Sequence, residues 1–104
     1  MLKTLVQIRQ QLVSGQFDLS RHAFVRAVEC DISEVEIRFA SAQARVIGVY
    51  QEHGFLAFVL LLGLTSAGRP LHIEEIAFVD SEMTRIVNLY EPDPGEWAEF
   101  QTRR

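Results

Sequence analysis

Four residues in this chain have the right types for acid–base work on a phosphate ester. His22 and Arg26 stand four apart in SRHAFVRAVE, His72 opens the stretch HIEEIAF, and Tyr90 closes IVNLY. Residues four apart on a helix share a face, so His22 and Arg26 form one pair. Two imidazoles and a guanidinium suit metal-independent cutting of RNA. One histidine takes the proton from the ribose 2′-hydroxyl and the other protonates the leaving oxygen. Arg26 stabilises charge on the phosphate. The plainer roles are a first-turn helix residue for His22, a surface cation for Arg26 and a structural strand histidine for His72.

The elements that must position these residues follow from periodicity. Leu2, Leu5, Val6, Ile8, Leu12 and Val13 fall mostly on one side of a first helix, and Gly15 stops it. Ser20 caps a second helix, with Phe24, Ala27 and Val28 as its expected inner stripe. Ser33 and Glu36 form a capping box for a third, with Ile32 and Ile37 at the staple positions. Val35, Phe39, Ala40 and Ala42 continue that helix.

Strand-like stretches then cover 45–51, 55–64, 71–79 and 83–90. The second is continuously apolar, as in a strand buried on both faces. Turns are expected at His53-Gly54, over TSAGRP and at Asp80-Ser81-Glu82. The tail EPDPGEWAEFQTRR should leave the sheet after its prolines. Helices followed by strands predict a single α+β domain over 1–104, with N-terminal helices packed on a four-stranded antiparallel sheet.

A hairpin centred on Ser81 sets His72 opposite Tyr90 and Glu74 opposite Asn88, all on one face. The same register extends that face through Ile76, Phe78, Thr84 and Ile86. Glu74-Glu75 reads as an exposed charge pair. If the second helix packs near the polar end of this hairpin, His22, Arg26, His72 and Tyr90 converge.

The bulk properties narrow the function classes. The 104 residues suffice for one core, and 48% are hydrophobic, so the chain folds rather than staying disordered. A net charge of −4 leaves no strong footprint for nonspecific nucleic-acid binding. Any RNA contact must use a local patch, which arginines are suited to form. Cys30 is the only cysteine, which excludes an internal disulfide and fits a reducing cytoplasm. The longest apolar run is about ten residues, too short to span a bilayer. No cofactor or metal motif is present. Metal-dependent hydrolysis through His22, His72 and Glu74 needs a geometry that the spacing does not specify.

The ordered set SRHAFVRAVECDISEVE, GRPLHI and IVNLYEPDPGEW resembles the bacterial domain-of-unknown-function family forty-two fifty-eight, from about residue 3 to the C-terminus. The resemblance implies a RelE/BrnT-like fold and a toxin-like endoribonuclease of a toxin–antitoxin pair. It implies as partners an RNA substrate and a small zinc-finger antitoxin of the YgiT or MqsA type. His22, Arg26, His72 and Tyr90 match family positions, as does Trp97, whose ordinary role is a packing anchor. Ala27, Cys30 and Asn88 depart from it, where Met, a second Arg and Thr are usual. Cys30 cannot hold a phosphate as a guanidinium does.

The alternative function is therefore a non-catalytic protein-interaction module with a degraded active site. It would dock a second copy, as a homodimer, or another protein. Its apolar patch is expected on the first helix and the Trp97-Phe100 tail.

Overall fold

A computed structural model describes residues 4–52, 56–76 and 82–104. Three helices pack on one face of a mixed five-stranded sheet, and a small C-terminal hairpin packs on the other. The elements are α1 (Leu5–Val13), β1 (Phe17–Leu19), α2 (Arg21–Glu29), α3 (Glu34–Ser41), β2 (Arg45–Glu52), β3 (Leu56–Leu64), β4 (Pro70–Ile76), β5 (Thr84–Tyr90), β6 (Trp97–Ala98) and β7 (Thr102–Arg103). The large sheet runs β1-β5-β4-β3-β2. No helix among the described residues is long and apolar enough to cross a membrane.

The α+β class holds, but the sheet has a fifth strand and is not all antiparallel. Phe17–Leu19 pairs parallel with the start of β5. Three residues are too few to show a strand's alternation, so periodicity alone misses it. The crossover that parallel pairing requires is long, running through α2, α3 and β2 to β4.

Local signals place the helices. Thr4 closes a capping box on Gln7, and Gly15 follows α1 at φ +80°. Ser20 caps α2 by accepting from the Ala23 amide, and its own hydroxyl donates to the Val87 carbonyl on β5. Ser33 and Glu36 form the expected capping box, with Ile32 and Ile37 both buried.

The inner stripe of α2 differs from the expected one. Ala27 faces the core as expected, but Ala23 joins it there, whereas Phe24 is 59% exposed and Val28 is 67% exposed. Small residues let this helix lie close against β5, so the bulky pair turns outward. Val35 and Phe39 on α3 and Val6 on α1 are also exposed.

The core sits between helices and sheet, built from Ile8, Leu12, Ala23, Ala27, Ile37, Leu61, Leu71, Ile73, Ile86 and Leu89. Gly63 lets β3 approach α3, since a Cβ there would collide with the Ala40 carbonyl.

The register of β4 and β5 places His72 opposite Tyr90 and Glu74 opposite Asn88, as expected. Beyond Glu74 the pairing shifts, with Glu75 opposite Ile86 and Val87 as the extra residue. That bulge turns Thr84 and Ile86 toward the helices, where both are fully buried. They therefore leave the face they were expected to share with His72. Glu75 is fully buried on the helix side of β4, not exposed beside Glu74. Phe78 and the turns expected at His53-Gly54 and around Ser81 lie outside the described residues.

Candidate functional site

The sheet divides the four candidate residues into two pairs. Leu71 and Ile73 join the helix-side core with Ala23 and Ala27, so His72 between them points to the opposite face. His22 and Arg26 ride on α2, in the helical layer. His22 is exposed, and Arg26 is ion-paired with Glu29 at 3.7 Å. The structure brings His72 and Tyr90 together but leaves His22 and Arg26 on the other side of the sheet.

His72 is fully buried beneath the β6–β7 hairpin. Its Nε2 lies 2.6 Å from the Phe100 carbonyl oxygen, and its Nδ1 lies 3.1 Å from the Tyr90 hydroxyl. A carbonyl only accepts, so Nε2 carries the proton and donates it. In the neutral ring Nδ1 then accepts from the tyrosine hydroxyl. Trp97 packs edge-on against the imidazole, with centroids 4.4 Å apart.

Burial pushes the His72 pKa below its ordinary value, against the opposing pull of the Phe100 carbonyl. Burial also raises the Tyr90 pKa, assisted by the Glu74 charge. Both shifts favour the neutral forms, so proton transfer from Tyr90 to His72 is uphill.

The hairpin is shaped to supply this acceptor. Its turn holds Glu99 and Phe100 at positive φ, 52° and 61°. Those dihedrals are uncommon for residues with a Cβ. The Phe100 carbonyl then meets His72, and Trp97 covers the ring. Trp97 is only 7% exposed, so it anchors the tail. The two prolines after β5 do take the chain out of the sheet, and the chain then folds back over it. Composition gave no signal for that return except the aromatic spacing of Trp97 and Phe100.

Beside this latch lies an open cleft of about 490 Å³ on the same face. Tyr50, Phe58, Leu60, Glu74, Asn88, Tyr90, Trp97 and Arg103 line it. The Arg103 guanidinium carbon stands 5.2 Å from the centroid of Trp97. Tyr50, Phe58, Leu60 and Arg103 are lining residues that spacing did not suggest, since none belongs to the β4–β5 pairing.

Most arginines serve the fold. Arg69 donates to the Cys30 and Asp31 carbonyls at the end of α2 and pairs with Glu36 and Glu91. Arg9 donates to the Ala44 carbonyl, Arg38 to the Val13 carbonyl and Arg104 to the Pro94 carbonyl. Arg85 pairs with Asp18, and Arg103 with Glu96.

No group of three or more metal-ligating side chains occurs among the described residues, so His22, His72 and Glu74 form no metal centre. A second groove of about 580 Å³ runs between β1, α2 and α3. Its apolar lining includes Phe17, Phe24, Val28 and Ile37, and Asp18, Asp31 and Glu34 also line it. No family model, curated protein or solved structure matches the chain.

Proposed function

We infer that the chain acts as a non-catalytic protein-interaction module. The observation that carries this reading is the division of the expected catalytic set across the sheet. His22 and Arg26 cannot share a phosphate with a buried His72 on the opposite face. His72 has both ring nitrogens engaged within the fold, which leaves it no free site for a substrate proton. The helical layer offers the binding surface. Phe24 and Val28 flank an apolar groove with acidic residues, which suits a partner segment carrying apolar and basic side chains. A small zinc-finger antitoxin, the partner implied by the family resemblance, is one protein that could supply such a segment.

A specific observation favours a second reading, a ribonuclease of different design. Glu74 and Arg103 line one cleft and supply a carboxylate base and a cation. Incubating the purified chain with single-stranded RNA separates the two. The interaction reading expects intact RNA, and apolar association that Phe24→Ser and Val28→Ser remove. Cleavage that Glu74→Gln abolishes, in a chain still folded, overturns it in favour of the second reading.

A further inference from the structure

The sheet-face cleft has a chemistry that the interaction surface on the helices does not use. Four aromatic side chains line it: Tyr50, Phe58, Tyr90 and Trp97. The Glu74 carboxylate stands with them. Aromatic faces carry negative electrostatic potential, and a carboxylate beside them adds a full negative charge. Such a combination attracts organic cations. Tyr90 strengthens it, because its hydroxyl proton is directed to His72, leaving the oxygen's lone pairs as acceptors. The protein's own chain already presents a cation to this cluster, with Arg103 over the Trp97 ring at 5.2 Å. Arg103 is held weakly there. Its ion pair with Glu96 spans 3.8 Å and its side chain is 70% exposed, so it can be displaced.

We propose that this cleft is a binding site for a guanidinium or alkylammonium group, and that Arg103 is its intramolecular competitor. The entering cation stacks on the aromatic walls and is neutralised by Glu74. The chain contains one tryptophan, Trp97, so its fluorescence reports occupancy directly.

The test titrates the intact chain with Nα-acetyl-argininamide, with the uncharged citrulline analogue and with choline. Saturable change in Trp97 fluorescence with the cations, and none with the citrulline analogue, is expected. Glu74→Gln and Tyr50→Ala should each weaken binding by roughly tenfold. Arg103→Ala should tighten it several-fold by removing the competitor. Tighter binding of Nα-acetyl-argininamide than of choline assigns the cation to a protein side chain, and the reverse assigns it to a free small cation. An equal response to the citrulline analogue, or cation binding unaltered by Glu74→Gln, overturns the proposal. So does an Arg103→Ala chain that binds no more tightly. These readouts do not involve Phe24 or Val28, so they succeed or fail independently of the helical surface.

Discussion

The Tyr90 hydroxyl donates to His72 Nδ1 across neighbouring strands at 3.1 Å, while the far side of the same ring donates to the Phe100 carbonyl at 2.6 Å. The imidazole thereby joins three segments: β4, β5 and the turn of the C-terminal hairpin. Its chemistry is spent on holding that hairpin to the sheet, and the cleft exists because the hairpin stays there.

Removing the ring should release the hairpin. His72→Ala leaves the Phe100 carbonyl and Tyr90 hydroxyl without their partner and opens a void beside Trp97. A loss of about 2–4 kcal/mol is expected by chemical denaturation. Trp97 fluorescence should shift to the red as the ring meets water. A variant as stable as the parent, with unshifted emission, would remove His72 from this role.

The latch also sets a pH dependence. The folded pKa of His72 lies below its ordinary value of 6.5. Between those two values the unfolded chain binds more protons, so protonation favours unfolding. The contribution of His72 is complete above about pH 6.5 and is lost as pH falls through the folded value. Comparing denaturation curves of the parent and His72→Gln isolates this term. The parent's stability should fall more steeply with acid over that window, and identical slopes would contradict the assignment.

Several of these relationships were legible in the sequence. Ser33 with Glu36 marks a capping box in any context, because its hydrogen bonds span only three residues. The pairing of His72 with Tyr90 matches a hairpin centred on Ser81, but it holds only through the bulge at Val87, since the pairs Glu75–Ile86 and Ile76–Arg85 run one residue out of that count. The failures arose where packing overrode pattern. Ala23, rather than Phe24 or Val28, joins the expected Ala27 on the core face, because small residues permit a close approach to β5, a reason invisible in a hydrophobicity count. The bulge at Val87 reverses Thr84 and Ile86 without any local mark such as glycine. The relation of α2 to the hairpin is tertiary, so His22 and Arg26 shared a helix face with no means of telling which side of the sheet it would meet.

That placement has a direct consequence. His22→Ala and Arg26→Ala should change stability by less than about 0.5 kcal/mol, as surface substitutions usually do. Neither should alter Trp97 emission or cation binding in the cleft. A marked effect of either variant on the cleft would show communication through the sheet that the separation of the pairs does not provide.

Gly63 tests the seam between β3 and α3. Gly63→Ala drives a methyl group into the Ala40 carbonyl, so the helix must shift. Destabilisation of roughly 1–3 kcal/mol is expected from thermal melts. Gly68→Ala differs in cause, because φ is +80° but no atom lies within 4 Å of the added carbon. Its cost should be limited to backbone strain, about 1 kcal/mol. Equal and negligible costs at both sites would contradict the close approach at Gly63.

The central claim is that His72 is a neutral structural ring rather than a proton carrier. Long-range 15N–1H correlation spectra read its tautomer and titration directly, with His72→Gln identifying its signals. The account predicts that the Nε2–H tautomer persists as pH is lowered from about 8 through 6.5, with protonation below that value. An Nδ1–H tautomer, or a His72 that titrates at or above its ordinary value, would contradict it and restore the ring as a candidate acid–base group.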